Sequence, residues 1–124
     1  MKITYDMLRY AYQDEYVAFK TEWPDGMELT VPNLLRAVEL GISIDWLAET
    51  VLDDTDRYYE VRLNAFTKIT GGVVRATRAF RDSGEADFTP WMAPYLATVN
   101  LTTARTLVWE ARYQEIAIEC EETP

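Results

Sequence analysis

Thr30-Val31-Pro32-Asn33-Leu34-Leu35-Arg36-Ala37-Val38-Glu39-Leu40-Gly41-Ile42-Ser43-Ile44-Asp45-Trp46-Leu47 holds two helix beginnings and one helix end. The Thr30 hydroxyl suits the free amides of a first turn, and Pro32 falls inside that turn, where no amide hydrogen is missed. The helix so begun should run from Val31 to Leu40 and stop at Gly41, which adopts a left-handed cap without a Cβ penalty. Ser43 can cap the next helix, from Ile44 to about Leu52, with Leu47 and Val51 on one face and Trp46 beside them. Two capped helices around a glycine turn make the expected class all-α.

Upstream, Tyr5, Leu8, Tyr12, Tyr16 and Phe19 recur at spacings of three and four, predicting a helix from Thr4 to Trp23, with Asp14 placed to restart it as an N-cap. Pro24-Asp25-Gly26 is a turn signal, so a first hairpin of helices should reverse there. Downstream, the acidic run Asp53-Asp54-Thr55-Asp56 opens another helix, where negative charge suits the helix dipole. Tyr58, Val61, Ala65, Ile69, Val73, Ala76 and Phe80 then keep helical phase, predicting one long central helix over residues 55–82. Gly71-Gly72 lies inside it and costs about 1 kcal/mol per glycine relative to alanine, marking either close packing or a break. Continuity is the expectation.

Ser83-Gly84 ends that helix, and Thr89-Pro90 or Ala93-Pro94 begins the last, because proline is tolerated in a helix's opening turn. It should extend from about Pro94 to Ile118, with Leu96, Val99, Leu107, Trp109 and Ile116 on its apolar face. Leu107 to Glu119 is nevertheless rich in strand formers. The whole chain, residues 1–124, is expected to form a single-domain bundle of about five helices.

Composition narrows the chemistry. With 48% hydrophobic and 13% aromatic residues the chain has the apolar mass for one packed core. No stretch reaches the roughly 18–20 apolar residues of a membrane span, and Met1 to Tyr10 lacks the apolar centre of a signal peptide, so a cytoplasmic protein is expected. Histidine is absent and Cys120 is the one cysteine, which excludes structural zinc and serine–histidine or cysteine–histidine catalysis. Cys120 lies between Glu119 and Glu121, whose charge disfavours the thiolate.

No cofactor is expected. Carboxylates are the abundant functional groups: Asp53, Asp54 and Asp56 with Glu60 are the densest set, and Glu15, Glu22 and Glu49 are scattered. A carboxylate-dependent metalloenzyme is the enzymatic alternative, but acids at a helix start are far more often caps and dipole partners.

Ala37 to Ser43, followed by Leu47 and Val51, also has the spacing of a DNA-binding helix-turn-helix. Its second helix would bring Ile44, Asp45, Trp46 and Glu49 to a groove lined by phosphates, where lysine and arginine are needed. A helix-turn-helix regulator is therefore the alternative rather than the leading expectation, and direct nucleic-acid binding is not expected.

Leu8 to Leu52 resembles a short helical module of phage and prophage proteins, through Phe19-Lys20-Thr21-Glu22-Trp23-Pro24-Asp25-Gly26, the Thr30 helix start and Gly41-Ile42-Ser43-Ile44-Asp45-Trp46-Leu47-Ala48. Members often carry a cysteine where this chain has Tyr12. The resemblance implies a mobile-element origin and a small protein that binds a host component. It implies no activity.

Charge is segregated along the chain, whose net is −9. Residues 1–56 carry 4 basic and 12 acidic side chains, residues 57–81 carry 6 and 1, and residues 82–124 carry 2 and 8. On a continuous helix Arg57, Lys68 and Arg75 fall nearly in line, with Arg78 and Arg81 to the side, a stripe that flanking acids would neutralise or that would hold an anion. Asp45, Glu49, Asp53, Asp54, Asp56 and Glu60 form the opposite candidate, an acidic ridge imitating a phosphate backbone. Such a ridge would attract the basic channel of a nucleic-acid-handling host protein and inhibit it. Four tryptophans and eight tyrosines exceed what one small core consumes, which points to aromatics on a binding surface, a homodimer face included.

Overall fold

The structure, a computed structural model, describes residues 1–8 and 13–122. The elements are β1 (Lys2–Ile3), a 3₁₀ turn (Tyr5–Met7), α1 (Gln13–Glu22), β2 (Met27–Glu28), α2 (Val31–Glu39), α3 (Ile44–Val51), α4 (Asp56–Thr70), α5 (Val73–Ser83) and α6 (Phe88–Glu122). The expected α-helical class stands.

The α2–α3 hairpin forms through its own local chemistry. Thr30 Oγ1 accepts from Asn33 N at 3.3 Å, and Ser43 Oγ from Trp46 N at 3.4 Å. Gly41, at φ 80°, closes α2 with Gly41 N donating to Val38 O and Ile42 N to Ala37 O, the paired bonds of a Schellman cap. Ile42 is thereby turned into the core. Ser43 N also donates to Glu15 Oε1 at 3.1 Å, tying the turn to α1.

The amino-terminal region differs from the expected helix that begins at Thr4 and restarts at Asp14. Thr4 begins a 3₁₀ turn that ends at Leu8, Asp14 lies within the first described turn of α1, and Tyr12 falls outside the described residues. Pro24-Asp25-Gly26 turns the chain as expected but leads into β2 rather than a helix. Lys2 pairs with Glu28 and Ile3 with Met27 in an antiparallel ladder. Two-residue strands carry no period to read in sequence, and the ladder forms because it buries Ile3 and Met27 completely.

Residues 56–83 are helical apart from the glycine pair, where the expected continuity fails. Gly71 takes φ 77° and Gly72 φ 102°, so α4 ends in a left-handed cap and α5 sets off in a new direction. Beyond the break, on α5, Phe80 lies against Trp91, with ring centroids 5.7 Å apart.

α6 has 35 residues, about 50 Å of helix, and begins before the expected Pro94. Pro90 sits in its opening turn at no cost, whereas Pro94 lies farther in and removes one backbone bond. Contacts of Trp91 with Phe80 and Tyr95, and burial of Met92, accompany that loss. Residues 107–119 are helical despite their strand propensity, because Ala104, Leu107 and Ala111 form one buried stripe at helical spacing. That stripe closes the core made by Phe19, Leu34, Leu47 and Tyr58. Trp109 and Ile116, expected on the apolar face, lie exposed on the opposite side.

Candidate functional site

Two neighbouring arrangements gather the candidate residues. In the first, α4 lies against the carboxylates of α3. Tyr58, fully buried, donates from its hydroxyl to Asp45 Oδ1 at 2.6 Å, and the Tyr59 hydroxyl donates to Glu49 Oε1. Arg62 Nε reaches the same Asp45 oxygen at 3.3 Å. Burial first, then the hydrogen-bonded carboxylate, raises the pKa of both phenols well above the ordinary tyrosine value. Asp45 and Glu49 are thus engaged by α4, and the rest of the proposed acidic series (Asp53, Asp54, Asp56 and Glu60) is exposed.

The second arrangement is an open groove of about 520 Å³ between the α3–α4 connection and the carboxy-terminal half of α6. Its floor is the Leu52–Asp54 connection, held by Gln114, which donates to Val51 O at 3.1 Å and accepts from Asp53 N at 2.9 Å. Asp54 Oδ1 accepts from Asp56 N at 2.9 Å and so closes the start of α4. Its wall is Trp109 and Tyr113, one helical turn apart and stacked with centroids at 5.5 Å and ring planes 12° apart. They are 56% and 60% exposed, unusual for rings of this size.

Arg57 lies between floor and wall. Its guanidinium carbon is 5.7 Å from the Trp109 ring centroid and its Nε is 3.0 Å from Glu110 Oε1. The second contact is ionic without being a directed hydrogen bond: Glu110 Oε1 is buried and has no hydrogen-bond partner among the described residues.

The proposed basic stripe does not form, since its alignment required a continuous helix. Arg57 belongs to this groove. Lys68 lines a separate groove between α4 and α6 with Ile69 and Thr98, and Arg75 and Arg78 lie beyond the glycine break on exposed positions of α5. The helix-turn-helix spacing is present, but α3 buries Ile44, Trp46, Leu47, Ala48 and Val51. It leaves Glu49 and part of Asp45 outward, and α3 itself carries no lysine or arginine.

Sequence reasoning missed the groove's wall. Trp109, Tyr113 and Ile116 repeat with helical spacing, as do Ala104, Leu107 and Ala111, and nothing local says which set faces inward. The excess of aromatics was the available signal.

Among the described residues no group of three or more histidine, cysteine, aspartate or glutamate side chains could hold a metal ion, and no helix is long and apolar enough to cross a membrane. Compared with known proteins, the chain matches no family model, no curated protein sequence and no solved structure.

Proposed function

We propose that this protein acts by binding another protein through the groove formed by Asp53, Asp54, Trp109 and Tyr113, and that its partner presents a basic surface. The observation that carries this reading is the stacked Trp109–Tyr113 pair, exposed beside carboxylates that have no ion pair among the described residues. Large rigid rings that bury much area at little entropic cost are the usual anchors of interfaces, and nearby charge selects the partner and speeds encounter.

The resemblance over residues 8–52 to a phage and prophage module supports a mobile-element protein directed at a host component. An acidic face suits a host nucleic-acid-handling protein, whose basic channel the carboxylates would occupy in place of phosphates, inhibiting it. Since Asp45 and Glu49 are already bonded to α4, the mimic would rest on Asp53, Asp54, Asp56 and Glu60.

The test is capture from bacterial lysate by wild-type protein and by Trp109→Ala and Asp53→Asn/Asp54→Asn variants, at low and high salt. A basic protein retained at low salt, released at high salt and lost with either variant is the expected result. Retention indifferent to salt and to both variants would overturn the reading.

A further inference from the structure

We infer that Arg57 is the resident occupant of a guanidinium seat, and that an arginine on a basic segment of the partner displaces it on binding. This rests on the binding role proposed above and specifies what the groove recognises.

The seat has the two features a guanidinium favours, an aromatic face and a carboxylate. Arg57 uses both, lying 5.7 Å from the Trp109 centroid and 3.0 Å from Glu110 Oε1. It fills the seat poorly. Its side chain remains 71% exposed, and the buried Glu110 oxygen beneath it receives no hydrogen bond from the described residues. A buried carboxylate oxygen without a donor is costly, and a guanidinium entering along the groove could aim its N–H fork at it.

Arg57 also lies in the first turn of α4, next to Asp56, where the helix dipole disfavours positive charge. Helix stability therefore does not explain an arginine there. Displacing it breaks an ion pair whose arginine is mostly exposed, which contributes modestly, and the incoming guanidinium takes over the same carboxylate. Charge favours the incomer: Asp53, Asp54 and Glu110 line the groove against the single positive charge of Arg57.

The experiment is titration of the full chain, at low salt, with an arginine-rich peptide and a lysine peptide of equal length, followed by calorimetry. Arg57→Ala should bind the arginine peptide about fivefold more tightly than wild type, the gain expected when no resident arginine has to be displaced and one positive charge beside the seat is gone. The lysine peptide, lacking the planar fork, should gain less. Arg75→Ala makes the same change in net charge away from the groove and should alter affinity by no more than about twofold. Wild-type binding that Arg57→Ala leaves unchanged or weakens overturns the resident-arginine inference and leaves the binding role standing. No binding by any form overturns both. If Arg57→Ala sediments as a dimer without peptide, the seat takes a second copy of this chain, and the partner's arginine is overturned.

Discussion

The Tyr58 hydroxyl and Asp45 are joined by a 2.6 Å hydrogen bond that fastens α4 to α3 across the acidic connection between them. The ring of Tyr58 is fully buried while Asp45 keeps partial contact with water and with Arg62, so the bond spans the edge of the core. Tyr58→Phe should keep the packing and lose the bond, lowering unfolding free energy by about 1.5–3 kcal/mol, the range for hydrogen bonds to charged groups. Tyr59→Phe, whose carboxylate partner Glu49 is exposed, should cost under about 1 kcal/mol. Denaturant unfolding of the two variants measures the difference, and equal losses would contradict this placement of the bond.

The same pair sets an alkaline limit. Tyr58 keeps its proton in the folded protein well past the ordinary tyrosine pKa of about 10, chiefly through burial and then through Asp45. Above that pH the unfolded chain sheds the proton and the folded chain does not. Unfolding then releases a proton, and stability is present in full below the unfolded pKa and falls as pH rises beyond it. Tyr58 should contribute a slope of up to about 1.4 kcal/mol per pH unit there, and Tyr58→Phe should flatten the decline. Unfolding curves at stepped alkaline pH, with tyrosinate absorbance, would show this.

Gly71 and Gly72 separate α4 from α5, and substitutions there test the break. A Cβ on Gly71 would stand 2.5 Å from Arg75 Cδ, but that exposed side chain can swing away, leaving the φ of +77° as the real obstacle. Gly71→Asn should therefore be tolerated better than Gly71→Ala, which should cost about 1 kcal/mol. Changing both glycines to alanine removes the cap and favours continuous helix through residues 70–73. Helical circular dichroism should rise while the Phe80–Trp91 contact is lost, visible as a change in tryptophan emission.

How far the sequence foretold this molecule depends on the range of the interactions. The α2–α3 hairpin was legible because Thr30, Gly41 and Ser43 act on amides and carbonyls a few residues away. The β1–β2 ladder was not, since Lys2 and Glu28 meet only through the fold. The phase of α4 and α5 was correct, but phase is blind to a backbone break, which the glycines signalled and continuity overrode. At the candidate site, the acids at 53 and 54 stood out by composition. The role of Trp109 required knowing that the Leu107 stripe is the one that packs.

That choice of stripe is itself testable. Leu107 is fully buried against the core and Trp109, two residues on, is mostly exposed. Leu107→Ala should destabilise by about 3–5 kcal/mol through lost burial and the cavity left behind. Trp109→Ala should change stability by no more than about 0.5 kcal/mol, as for other exposed positions, while abolishing partner capture. Thermal melts of both variants check the assignment; a large loss with Trp109→Ala would place that ring in the core instead.

Gln114 holds the groove's floor to its wall with both ends of one amide, donating to Val51 O and accepting from Asp53 N. The carbonyl is one that α3 leaves open at its end, and the amide precedes the start of α4, so neither has a helical partner of its own. Gln114→Ala strands both at a partly exposed edge where water can reach them, and the expected loss of stability is about 1 kcal/mol. The sharper consequence is local. The Asp53 amide should exchange with solvent faster in the variant, whereas the Leu52 amide, bonded to Ala48 O at 2.8 Å within the end of α3, should keep its protection. With the connection loosened, Asp53 and Asp54 no longer stand at a fixed distance from Trp109, and affinity for an arginine-rich peptide should fall though no charge has been removed. Hydrogen exchange by nuclear magnetic resonance, paired with the peptide titration, tests both parts; unchanged exchange at Asp53 would show that the bond to Gln114 does not hold the floor.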